Sequence, residues 1–179
     1  FITKIFRLPS EGKPISIIDV SAMPSEITPT VVAVLSRLVF DYSIWAKNEP
    51  KRPILLVCEE AHRYVPADPK LGFFPTRQAI SRIAKEGRKY GVSLGVITQR
   101  PGELDPTILS QCSTVFAMRL SNDHDQDIIR SAIPDSSAST MSFLSSIGNG
   151  EAIAFGEAVA VPMRMVFERV SEAVLPRAN

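Results

Sequence analysis

The run from Pro53 to His62, PILLVCEEAH, constrains the fold more than any other part of this 179-residue chain. Its apolar, largely β-forming residues predict a strand, and a strand apolar on both faces belongs inside a parallel sheet covered on both sides. Ligands of such sheets sit beyond the carboxyl ends of the strands. Glu59 and Glu60 fall at that edge. Two adjacent acids there meet desolvation and mutual repulsion, which a bound cation and a polarised water offset. That is the arrangement a magnesium-dependent nucleotide hydrolase needs. The same pattern also reads as an exposed strand end opening a helix, where acids favour the N-terminal dipole.

The length suits one domain of ordinary size. A net charge of +1 gives no global attraction to polyanions, so any nucleic-acid contact has to come from a local basic patch. No apolar run reaches membrane-spanning length and no signal peptide is recognisable. Cys58 falls in the strand candidate and Cys112 near a loop, which does not suggest a disulfide framework, so the cytoplasmic compartment is expected. Beginning at Phe1, the sequence is expected to be a fragment of a longer protein.

Along the chain, KPISIIDVS (Lys13 to Ser21) predicts a first strand. A long helix follows, with Ile27, Val31, Val34, Leu35, Leu38, Val39 and Tyr42 at helical spacing. After the acid-bearing strand, Arg63 to Pro75 reads as a loop with an exposed tip, and Thr76 to Tyr90 as a helix that Gly91 terminates. Then come a strand at Val92 to Thr98, a short helical piece at Leu104 to Gln111, a strand at Thr114 to Leu120 and a helix from Asp123 to about Ala132. A small helix around Thr140 to Leu144 and two strands, Gly150 to Phe155 and Val161 to Phe167, complete the order. Strands alternating with helices and closing on a hairpin predict an α/β sheet, mostly parallel with an antiparallel edge.

On a helical projection of the second helix, Arg77, Arg82, Lys85, Arg88 and Lys89 share an arc of about 140°, opposite Ile80, Ile83, Ala84, Gly87 and Tyr90. A solvated surface explains this, and so does a face that presents arginine to phosphate across a subunit boundary. Gln99, at the end of the following strand, can donate to a phosphate oxygen and accept from a water, or it is a plain loop residue before a proline turn. The loop with Lys70, Phe73 and Phe74 reads either as a surface loop whose aromatics cover the core or as a salt-sensitive phosphate contact. A Ser-His-Asp hydrolase is disfavoured, since there is no GxSxG elbow and neither His62 nor His124 has an evident nucleophile partner.

Taken in order, CEEAHRYVP, ISRIAKEGRKYGVSLGVITQRPGELDPTILSQCSTVFAMRLSNDHD and GNGEAIAFGEAVAVPMRMVF resemble the C-terminal part of a HerA-type ATPase of the HerA/FtsK superfamily. The PISIIDVSAMPSEI opening resembles the preceding strand and helix, so the similarity spans residues 1–179 as part of a single RecA-like domain. The resemblance implies a P-loop NTPase fold and an ATP- and Mg2+-dependent double-stranded DNA translocase or helicase, assembled as a hexameric homo-oligomer and acting with a nuclease or effector partner. It makes Glu59 the Walker B acid that holds magnesium through water, Glu60 the catalytic glutamate that orients the attacking water, and Gln99 the sensor-like glutamine. Arg88 becomes the leading trans-acting arginine, with Arg82 and Arg100 behind it; Arg119 and His62 are assigned structural roles.

Two departures from the family pattern stand out. Glu59 occupies a position where aspartate is usual, and no GxxxxGK[ST] phosphate loop is present. A fragment lacking that loop is expected to be inactive alone, and either only marginally stable or paired with another copy or with its missing half, because the resemblance implies a P-loop strand beside Ile54 to Val57. Alternatives to a DNA-processing or anti-phage motor are a conjugation or segregation DNA pump and a non-catalytic ring that scaffolds an effector.

Overall fold

The computed structural model describes residues 5–6, 14–46, 53–131, 144–172 and 175. Helix α1 (Thr28–Trp45) leads to strand β1 (Ile54–Cys58), helix α2 (Phe74–Glu86) and strand β2 (Val92–Val96). A short helix α3 (Pro106–Ser110), strand β3 (Thr114–Ala117), helix α4 (Asp123–Ser131) and strands β4 (Glu151–Gly156) and β5 (Met163–Val166) follow. Strands β1 and β2 pair in parallel, Ile54 opposite Val92 through Cys58 opposite Val96. Strands β3, β4 and β5 form a separate antiparallel sheet in that order. The α/β class and the closing antiparallel hairpin therefore match the sequence expectation. Among the described residues no helix is long and apolar enough to cross a membrane.

Each helix ends where local chemistry dictates. Pro75 occupies the first turn of α2, where a missing N–H is harmless. The chain beyond Glu86 tightens into a 3-10 turn, Gly87–Tyr90, and Gly91 at φ 75° stops it. A Cβ on Gly87 would lie 2.5 Å from the Val92 carbonyl oxygen, so the bare glycine lets this turn press against β2. Helix α3 begins at Asp105, whose carboxylate accepts from the Thr107 N–H at 2.8 Å ahead of Pro106. Asn122 does the same for α4, accepting from the His124 N–H at 2.9 Å.

Helices α1 and α2 both cover one face of the β1–β2 sheet. Cys58, Ile80, Ala61, Val65, Leu104 and Ile108 form one buried cluster there, and Val39, Phe40, Ile83 and Val92 another. A third cluster, with Ile129, Leu144, Ile147, Ile153 and Phe155, fills the space under the antiparallel sheet. The buried stripe of α1 runs through Thr28, Ala33, Ser36, Val39 and Phe40. Val34, expected in that stripe, is half exposed, because small residues at 33 and 36 give the closer approach to α2. Thr76 completes the contact by donating its hydroxyl to the Pro29 carbonyl at 2.7 Å.

Three expectations are corrected. Residues 14–21 form no strand, and Ile15 and Ile17 are exposed; β-branching favours a strand only where a neighbouring edge supplies hydrogen bonds and packing. Strand β1 is covered on one face only. Leu55 (63%) and Val57 (49%) alternate outward into solvent because both helices lie on the opposite side. The paired phenylalanines do not cover the core: Phe74 is 71% exposed and opens α2 instead of closing the loop before it. The small helix expected around Thr140 to Leu144 lies outside the described residues apart from Leu144 itself.

Candidate functional site

Parallel pairing in register brings the carboxyl ends of β1 and β2 side by side, and the two polar strand tails meet there. The Ala61 N–H donates to the Ile97 carbonyl at 3.0 Å, and the Ile97 N–H to the Cys58 carbonyl at 2.9 Å, extending the ladder past both strands. Between these bonds Glu60 adopts a left-handed conformation, φ 49° and ψ 44°, the only non-glycine residue at positive φ among those described. A glutamate held there against its steric preference is the kind of local strain that the surrounding structure has to impose. The kink turns its carboxylate sideways along the sheet edge. Gln99 Nε2 donates to Glu60 Oε1 at 3.1 Å.

His62, in the 3-10 turn Ala61–Arg63, faces the same group. Its Nδ1 lies 3.0 Å from Thr98 Oγ1 and 3.5 Å from Glu60 Oε2. Thr98 Oγ1 also accepts from the Arg100 N–H at 3.0 Å. His62, expected to serve loop packing, thus joins the acid edge together with Thr98, whose signal in the sequence is the uninterrupted polar run Thr98-Gln99-Arg100. Glu59 is exposed beside Glu60, and the Glu60 side chain is 42% exposed, so both acids remain open to solvent. Cys58, immediately before them, is buried, and desolvation pushes its thiol up to about 11. It therefore stays protonated near neutrality and packs as an apolar group.

The arginines do not share one face. Arg77 Nη2 lies 2.6 Å from Asp105, whose side chain is 1% exposed, so this residue points inward. The Arg82 guanidinium stacks 4.2 Å from the centre of the Phe40 ring and reaches Glu86 at 4.0 Å. Arg88, 94% exposed, faces Glu157 at 4.0 Å from the 3-10 turn before β2. Arg77 and Arg82 both lie in the regular helix, and what separates them is their partners, the buried Asp105 and the Phe40 ring; the 3-10 turn, advancing about 120° per residue instead of about 100°, carries Lys89 out of the arc. Arg88 is also at the end of β2 opposite Gln99, since Val92 opens that strand and Val96 closes it. Arg100 stays at the acid edge, held to Glu103 at 3.0 Å. Arg119 reaches Asn149 at 3.3 Å, joining the antiparallel sheet to the turn before β4.

The chain is 40% identical over 110 residues to the DNA double-strand break repair helicase HerA of Pyrococcus furiosus, covering 62% of this chain and 19% of that protein. It is 33% identical over 147 residues to the probable DNA double-strand break repair helicase HerA of Methanocaldococcus jannaschii, covering 82% and 28%. This is a segment of HerA type. It spans less than a third of the length of these HerA relatives. The structure of the genome-packaging NTPase B204 from Sulfolobus turreted icosahedral virus 2, in complex with ATP-gammaS, superposes with a TM-score of 0.64 at 12% identity, over 94% of this chain and 72% of that one. At that identity the likeness speaks for the fold, that of a P-loop NTPase. No protein-family model matches the chain.

Proposed function

We propose that this HerA-type segment supplies the acid and sensor wall of an ATP-hydrolysing motor that translocates double-stranded DNA as a ring of identical subunits. One observation carries the reading: the Gln99 to Glu60 hydrogen bond at 3.1 Å, at the carboxyl ends of two adjacent parallel strands. An amide that donates to a carboxylate keeps its own oxygen free to accept, so the pair can hold a water between them. Two neighbouring carboxylates also suit a magnesium ion that retains most of its water and takes its remaining ligands from phosphate.

These residues fit magnesium–ATP on one side, and the β- and γ-phosphate cradle has to come from sequence outside these 179 residues. Glu59 would hold the ion through water. Bound magnesium–ATP would provide an electrophilic γ-phosphoryl group with its charge partly neutralised. Glu60 accepts a hydrogen bond from the attacking water, and its kinked backbone fixes the direction of approach. Gln99 tethers that carboxylate, while His62 and Thr98 limit its swing. Arg88, exposed at the far end of β2, would act on the site of a neighbouring subunit, whereas Arg82 is held to Phe40 and supports packing.

The test is ATP turnover of the longer protein containing this chain, wild type against Glu60→Gln. We expect turnover to fall by about 10²- to 10⁴-fold with nucleotide binding retained. Wild-type turnover in Glu60→Gln would take the catalytic role away from Glu60, and absence of turnover in the wild type would sink the hydrolytic reading and leave a ring that scaffolds an effector.

A further inference from the structure

Asp105 is the point where three segments meet. Its Oδ2 accepts from Arg77 Nη2 at 2.6 Å, its Oδ1 from the Thr107 N–H at 2.8 Å, and its own N–H donates to the Val65 carbonyl at 2.9 Å. The stretch leading to it from Gln99 has little freedom. Arg100 is clamped to Glu103, the Gly102 N–H donates to Asp125 at 2.8 Å, and Leu104 bridges to Pro66.

The exposed loop beyond Glu60 is pinned to that same stretch at both of its ends. On one side the Ala67 N–H donates to the Glu103 carbonyl at 2.8 Å. On the other, Arg77 holds Asp105, and its backbone N–H donates to the Phe73 carbonyl at 3.2 Å. Between the two anchors lie Lys70, Leu71 and Phe74, with Leu71 79% exposed. A loop fixed at both ends to one rigid segment has to follow that segment when it moves. A charge-assisted pair in a buried setting suits this role, because it tolerates little stretching and breaking it strands a buried charge.

We infer that the Arg77–Asp105 ion pair couples the Gln99 segment to the exposed 68–74 tip, so that a change at the Glu60–Gln99 contact displaces the tip. Arg77 and Asp105 are positioning residues in this account. It rests on the proposed function in one respect, that nucleotide binds beside Glu60 and Gln99.

The test uses the longer protein with Leu71→Cys as the single accessible thiol, labelled with a maleimide with and without magnesium and a non-hydrolysable ATP analogue. Analogue binding is measured separately. We expect bound analogue to change the labelling rate on the order of fivefold. Arg77→Gln should abolish that change at unaltered analogue affinity, and Arg77→Lys should restore part of it. Asp105→Asn, which keeps an oxygen to cap Thr107, serves as the second variant should Arg77→Gln not fold. A rate change that persists in the folded variants would overturn the coupling, as would a Leu71→Cys rate indifferent to bound analogue. Failure of the analogue to bind at all would refute the nucleotide site itself, and the coupling with it.

Discussion

Replacing Glu60 with glycine separates strain from chemistry at one position. A side chain in the left-handed region costs about 1–2 kcal/mol, which glycine relieves. Against this, glycine widens the unfolded ensemble by about 0.4–1 kcal/mol. The Gln99 hydrogen bond is lost as well, and with the Glu60 side chain 42% exposed its worth falls toward the low end, about 0.5–1 kcal/mol. These terms nearly cancel, so Glu60→Gly should lie within about 1 kcal/mol of wild type, or about 2–4 °C in melting temperature for a domain of this size. Turnover of ATP by the longer protein should nevertheless fall by about 10²-fold or more, because the water loses its acceptor. Thermal melting and steady-state hydrolysis on the same preparation decide the matter. A loss of stability above about 3 kcal/mol with turnover intact would mean that Glu60 is a structural residue and that its strain serves the fold.

The remaining predictions follow from single contacts. Arg88→Ala should leave melting unchanged yet lower turnover, whereas Arg82→Ala should cost about 0.5–1 kcal/mol through loss of the Phe40 stacking and spare turnover; parallel melts and hydrolysis assays separate the two. Gly156→Ala should damage the antiparallel sheet, since φ is 107° and a Cβ would meet the Ser113 carbonyl oxygen at 2.2 Å, while Gly91→Ala, with open space around it, should cost only the about 1–2 kcal/mol of its φ. Circular dichroism melts of both variants check the order. Cys58 should resist thiol reagents at neutral pH in the native state. Because burial raises its folded pKa to about 11, its stabilisation is full below the unfolded value near 9.0 and is lost as pH climbs from there toward 11. Denaturant midpoints flat across that window would contradict the burial of this thiol.

Periodicity made the helices and the hairpin legible, because 3.6-residue and two-residue repeats survive whatever the neighbours are. What it could not carry was coverage. Ile54 to Cys58 look alike in composition, yet Leu56 and Cys58 meet the helices while Leu55 and Val57 face solvent. The same limit applies to residues 14–21, whose β-branched run needs a paired edge to become a strand. The tightening of α2 into a 3-10 turn was equally hidden, since Gly87 works by leaving free the space where a Cβ would lie 2.5 Å from the Val92 carbonyl oxygen, and not through any local signal. That change of pitch rotates Lys89 out of the face assigned to it.

At the acid edge, the meeting of Glu60 and Gln99 could be anticipated because parallel register forces the ends of adjacent strands together, wherever the strands lie in the sequence. The left-handed backbone at Glu60 could not, and the proposed chemistry rests on it. An extended residue after Cys58 would carry its side chain perpendicular to the sheet, up or down, and neither direction leads along the edge toward Gln99. The kink rotates the carboxylate into that line, and the ladder bonds from Ala61 and Ile97 hold it there. The proposed function therefore depends on a conformation that local propensity opposes and that the bonds flanking Glu60 hold. A substitution that loosens the pairing of β1 with β2 should reach the site through Glu60 before it touches the core.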